Sequence, residues 1–208
     1  QSEIEKVFRI KENETLLKFQ DMIADIPMER LILTDDVISY AINVENLKLS
    51  QNIYLTLVDH INFAIERFKE GMTPENALMW EIKRFYPQEY ALGLYTIRLI
   101  HDRMGFSLPN SEAGFIALHF VNAQYSTHMK DTLSLPHLMR DIMDIVMSEL
   151  NVNLNENSIH YERFVTHIKF LIQRLYHNEM LLDEDTIFED MMKEKHPREF
   201  ECGKRIAK

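Results

Sequence analysis

Apolar residues recur every three to four positions along most of this chain, the spacing of helices that bury one face. Leu16, Leu17, Phe19, Ile23 and Ile26 fit one helix over residues 14–26, which Pro27 ends. Thr34-Asp35-Asp36 places acids in a first turn and predicts a helix through about Val44. Ser50 caps a further helix carrying Ile53, Leu57, His60, Ala64 and Phe68, closed by Gly71. Thr73-Pro74 predicts a start for a helix that runs to Phe85. Pro87 opens a helix with Tyr90, Leu94, Ile97 and Ile100, ended by Gly105. Another, from Glu112 to about Ala123, carries Phe115, Ile116, His119 and Phe120.

The pattern weakens between Gln124 and Leu133, which reads as a linker between two units. Helices are expected again from Ser134 to Leu150, through the stretch around His167 to His177, from Asp183 to Lys195, and from Pro197 onward. No alternating Val/Ile/Thr run with Asn-Gly turns signals a sheet, so the expected class is all-α.

Two motifs occur twice, which makes the chain a tandem repeat. His60 to Arg67 reads H-I-x-F-x-I-x-R, and so does His167 to Arg174. Pro87 to Gly93 and Pro197 to Gly203 share P-x-E-[YF]-x-x-G, spaced three residues further from the first motif in the second copy. The expected organisation is residues 1–13 as a linker, 14–125 as a first helical bundle of about five helices, 126–133 as a connector, and 134–208 as a second bundle. The stretch matching Glu112 to His119 would fall beyond Lys208, so the second bundle is expected to be incomplete at its C-terminus.

The 208 residues carry a net charge of −10, which argues against a basic nucleic-acid surface over the whole chain. An apolar content of 46% is enough for a core, and no run reaches the roughly 20 apolar residues of a membrane span. The single cysteine, Cys202, allows no internal disulfide and suits a reducing cytoplasm. No basic-then-apolar leader precedes the first helix. Glycine-rich phosphate loops, G-x-S-x-G and H-E-x-x-H are absent, so the residues suggest neither an enzyme nor a metal or cofactor site.

The chemistry therefore rests on histidines. His60, His119 and His167 each lie on or beside an apolar helical face, where a buried packing role and a chemical role both fit. Arg67 and Arg174 follow their histidines by seven positions and share their faces at about 10 Å along the helix. Glu112 has the same relation to His119, while Asp59 is next to His60 but on another face. His101, His128, His137, His160, His177 and His196 read as surface residues.

Asp59 to Arg67 as D-H-I-x-F-A-I-x-R, Glu112 to His119 as E-A-G-F-I-A-L-H, and Arg163 to Phe170 as R-F-V-T-H-x-K-F resemble the PTS regulation domains. These occur in tandem in BglG/SacY/LicT-type transcriptional antiterminators. Ile4 to Phe8 resembles the end of the small RNA-binding module that precedes them, a module otherwise missing here. The resemblance implies a cytoplasmic, homodimeric, non-enzymatic regulator. It senses carbohydrate through histidine phosphorylation by the phosphotransferase system, with HPr and sugar-specific permease components as phosphodonors. It binds an RNA antiterminator hairpin only through the N-terminal module. His60 and His119 match the inhibitory acceptors of the first domain, and His167 an activating acceptor of the second. Asp59, Arg67, Glu112 and Arg174 are the candidate supports of these sites. The alternatives are the same domains in a DNA-binding activator, or a helical interaction module whose histidines only pack.

Overall fold

The computed structural model describes residues 25–125, 129–177, 179 and 186–207; the side chains of 129–131, 177, 186 and 187 are outside the description. The described residues form α-helices and contain no strand. They are α1 (Met28–Asn43), α2 (Ile53–Lys69), α3 (Met79–Phe85), α4 (Pro87–Met104), α5 (Asn110–Tyr125), α6 (Met129–Leu150), α7 (Ile159–His177), α8 (Thr186–Lys195) and α9 (Pro197–Ile206). The all-α class read from the periodicity is the class observed. The expected linker 1–13, most of the helix over 14–26, residues 126–128 and the expected start at Asp183 lie outside the described residues.

Three helix starts differ from the sequence reading by about five residues or more. α1 begins at Met28, directly after Pro27, rather than at Thr34. Thr34 is fully buried inside the helix and its hydroxyl donates to the Arg30 carbonyl at 2.8 Å. A threonine that bonds back one turn satisfies itself within a helix and gives no start signal. After Thr73-Pro74 the chain stays irregular until Met79, because Asn76 folds back on the backbone. Its buried Oδ1 accepts from the Leu78 N–H at 2.9 Å, forming an Asx turn that replaces the first helical turn. α6, at the other end of the first unit, extends upstream to Met129 and so takes in part of the stretch 126–133.

α5 lies at the centre. Glu112, Ala113, Gly114, Ile116, Ala117, Leu118, Phe120, Val121, Asn122 and Ala123 are all buried, and between them only Phe115 and His119 stay part-exposed. It packs against α2, α3, α4 and α6. Its small residues allow close approach: a Cβ on Gly93 of α4 would lie 2.1 Å from the Ala113 carbonyl oxygen. The main core of the first unit joins Leu33, Val37 and Ile38 of α1 to Leu57, Ile61 and Ile65 of α2 and Ile116 and Phe120 of α5.

A second cluster joins the two repeats. Phe85, Tyr86 and Val121 of the first pack with Leu135, Met139, Ile142 and Met143 of α6 and Tyr161, Val165, Ile168 and Ile172 of α7. Polar contacts flank it. Arg140 reaches the buried Glu81 at 2.7 Å, and Arg84 reaches the Tyr161 hydroxyl and Glu156, both at 3.0 Å. Each P-x-E-[YF]-x-x-G motif opens a helix with its proline in the first turn, after a residue of matching backbone angles: Tyr86 at φ −129°, ψ 52° and His196 at φ −136°, ψ 58°. The repeat is thus visible in backbone geometry as well as in residue identity.

Candidate functional site

α2 buries Ile53, Leu57, Ile61, Ala64 and Ile65, and His60 and Arg67 fall beside that stripe, one at mid-helix and one in the last turn. Gly71, at φ +78°, closes the helix just beyond. α5 presents Glu112 from its first turn and His119 from its middle. Helical spacing puts Glu112 and His119 on one face, and the packing of α5 on α2 turns that face toward His60 and Arg67.

The result is a four-residue cluster. The imidazole rings of His60 and His119 have centroids 4.7 Å apart, tilted at 42°. Glu112 is buried, with one carboxylate oxygen accepting from the Arg67 guanidinium at 2.7 Å. Its other oxygen is 3.3 Å from His60 Nε2, close enough for charge attraction but outside hydrogen-bond alignment. Arg67 also lies over the exposed Phe63 ring at 4.5 Å, and the Phe115 ring is 6.2 Å from that of His60. The guanidinium is thus fixed between an aromatic face and a carboxylate.

Burial, reinforced by neighbouring His60, lowers the pKa of His119 to about 3. His119 is therefore a neutral imidazole at physiological pH, with a ring lone pair free to act as a nucleophile. Its Nδ1 and the Nε2 of His60 are both buried without a hydrogen bond. Two part-buried imidazoles beside one fixed carboxylate and one fixed guanidinium can accept and hold an electrophilic group that is anionic. Among the described residues no group of three or more His, Cys, Asp or Glu is placed to hold a metal ion.

Of the residues singled out from sequence, the fold brings together His60, His119, Arg67 and Glu112. Asp59 is exposed and stays outside. His167 is exposed on α7. Arg174 is half-buried with Nε lacking a partner, beside a cleft of about 430 Å³ shared with Phe170, Gln173 and Glu179. Arg67 touches Glu112 rather than a histidine, so its link to His60 runs through the carboxylate. Phe63 and Phe115 as walls of the site, and Glu81, Arg84 and Arg140 between the repeats, were not singled out from sequence. Glu81 shares the buried side of α3 with Ile82 and Phe85, which the packing shows and the sequence does not. His101, His137, His160 and His196 are exposed, as read from sequence; His128 and the side chain of His177 lie outside the described residues. Cys202 is buried, and burial raises its thiol pKa, which leaves it unreactive.

The two repeats also correspond to a known family: residues 35–123 and 140–208 match the PRD domain. The chain belongs to that family, as a tandem of two such domains. It is 41% identical over 206 residues to the transcription antiterminator LicT of Bacillus subtilis (strain 168), covering 99% of this chain and 74% of the relative. It is 40% identical over 203 residues to the beta-glucoside operon antiterminator of Dickeya chrysanthemi, covering 98% and 72% respectively. Among solved structures, that of GlcT CAT-PRDI superposes with a TM-score of 0.53 at 32% identity, over 56% of this chain and 70% of the other. The two sequence relatives are antiterminators, which supports a regulatory, antiterminator-type role for this chain. Among the described residues no helix is long and apolar enough to cross a membrane.

Proposed function

We propose that this chain is the regulatory region of a bacterial transcription antiterminator, and that it reports carbohydrate supply through phosphorylation of His60, His119 and His167. The observation that carries the reading is the His60–His119 pair at 4.7 Å, backed by Glu112 and Arg67. The phosphodonors are HPr and sugar-specific permease components of the phosphotransferase system. The chain works in the cytoplasm as a homodimer, and RNA is bound by an N-terminal module outside this sequence. Residues 14–125 and 134–208 are the two regulatory units, 126–133 joins them, and 1–13 leads in from the RNA-binding module.

A phosphoryl group adds nearly two negative charges and several strong acceptor oxygens. At His60 or His119 it would stand beside the buried Glu112 carboxylate, with Arg67 as the adjacent cation. In a twofold dimer each added charge occurs twice, so packings that bring the sites together are disfavoured. His167 is exposed, which suits direct access by a carrier protein.

The test is to incubate the chain with phosphorylated HPr and permease components, then map acid-labile phosphate by mass spectrometry. Phosphate on His60, His119 and His167 is expected; phosphate on none of them would refute the reading. Sedimentation of the His167→Asp variant provides the second check. An unchanged dimerisation constant would remove His167 as a control point of association.

A further inference from the structure

The two paired histidines do not offer the same ring nitrogen. In His60 it is Nε2 that is enclosed, facing the Glu112 carboxylate at 3.3 Å. In His119 it is Nδ1 that is enclosed, with no partner. Both rings are part-buried, and the other nitrogen of each, Nδ1 of His60 and Nε2 of His119, is not enclosed in this way. A phosphoryl group is far larger than a proton and reaches only a nitrogen with open space in front of it.

Electrostatics point the same way for His60. The carboxylate near Nε2 favours the tautomer that keeps its proton there, which leaves the lone pair on Nδ1. Arg67 fixes the carboxylate from its other oxygen, so Glu112 cannot readily turn away.

We propose that the pair is phosphorylated on opposite ring nitrogens, Nδ1 of His60 and Nε2 of His119, and that Glu112 is the positioning residue that sets the His60 tautomer. The proposal rests on the reading of these histidines as phosphoryl acceptors. In the transfer to His60, the Nδ1 lone pair forms the new N–P bond. The N–P bond of the donor, a phosphohistidine or a simple phosphoramidate, breaks and returns its electron pair to the donor nitrogen. The proton on Nε2 of His60 stays in place, and the positive charge the ring gains is offset by Glu112. At His119 the same step uses the Nε2 lone pair, with the proton held on the enclosed Nδ1.

The experiment uses the full chain labelled with 15N-histidine and phosphorylated with potassium phosphoramidate. Phosphorus–nitrogen couplings and long-range proton–nitrogen correlations distinguish the two phosphohistidine isomers. Comparison with His60→Asn and His119→Asn assigns each signal, while the isomers are read on the unaltered chain. Nδ1-phosphate at His60 and Nε2-phosphate at His119 are expected. The same isomer at both sites, or the reverse assignment, would overturn the proposal while leaving the histidines as acceptors. Phosphate at neither would overturn both this assignment and the functional reading. In Glu112→Gln, before any phosphorylation, the 15N shifts of His60 are expected to move from a single Nε2–H tautomer toward a mixture. His60 shifts identical to those of the unaltered chain would exclude Glu112 as the residue that sets the tautomer.

Discussion

Glu112→Gln isolates the charge of the buried carboxylate at nearly constant shape. The native side chain is 2% exposed and pairs with an Arg67 side chain that is 18% exposed. Removing one partner of a fully buried ion pair costs about 3–5 kcal/mol, because the other charge is left uncompensated. Two features reduce that figure here. The glutamine carbonyl still accepts from Arg67, retaining a neutral hydrogen bond worth about 1 kcal/mol. The guanidinium also keeps some water and its place over Phe63 at 4.5 Å. A loss of about 2 kcal/mol remains. It should appear in urea unfolding at pH 7.5 as a lower midpoint with an unchanged slope. The double variant Arg67→Met/Glu112→Leu removes both charges and fills the space, and should recover most of the loss. If Glu112→Gln stays within about 0.5 kcal/mol of the unaltered chain, the carboxylate is not a buried electrostatic anchor and the account of the cluster fails.

Three further outcomes are expected. His119 has a folded-state pKa of about 3, below its ordinary value of 6.5, so the unfolded chain takes up its proton first as pH falls. Its contribution to stability is complete above about pH 6.5 and declines toward pH 3; between pH 7.5 and 5 the loss is about 1–2 kcal/mol, and His119→Asn should abolish that part of the slope in parallel urea titrations. Gly93→Ala should cost more than about 3 kcal/mol or prevent folding, since the new Cβ would meet the Ala113 carbonyl oxygen at 2.1 Å, whereas Gly203→Ala, with nothing within 4 Å, should gain up to about 1 kcal/mol in thermal unfolding. Phe85→Ala removes a side chain from the cluster shared by the repeats and should cost about 3–5 kcal/mol; a melt that splits into two transitions would show that this cluster couples the repeats, while an unchanged midpoint would rule it out.

The candidate site residues were legible in the sequence to different degrees. His60 and His167 stood out because a repeated motif marks them, and His119 because it ends E-A-G-F-I-A-L-H. The seven-residue spacing from His60 to Arg67 placed both on one helical face but left the guanidinium about two turns away. α5 closes that gap by inserting Glu112 between them. No local rule could have given this, because it depends on how α2 and α5 cross and on what packs behind α5, such as Gly93 of α4 against Ala113. Thr34 and Thr73-Pro74 show the opposite limit. Their local signals were sound, yet Thr34 was satisfied within its helix and Asn76 captured the backbone first.

The sequence alone determined the helical class and the tandem repeat, and it marked His60, His119 and His167 as candidates. Each follows from local periodicity or from identity between two stretches of chain, and neither needs the third dimension. The tertiary structure alone decided that His60 and His119 face each other, that Glu112 joins Arg67 to His60, and that each histidine has a different ring nitrogen enclosed. These are relations between helices, set by which apolar faces bury each other and how closely their backbones can approach. The second copy of the motif shows why identity is not enough. His167 opens the same H-I-x-F-x-I-x-R motif as His60, but it stands exposed on α7, outside the four-residue cluster.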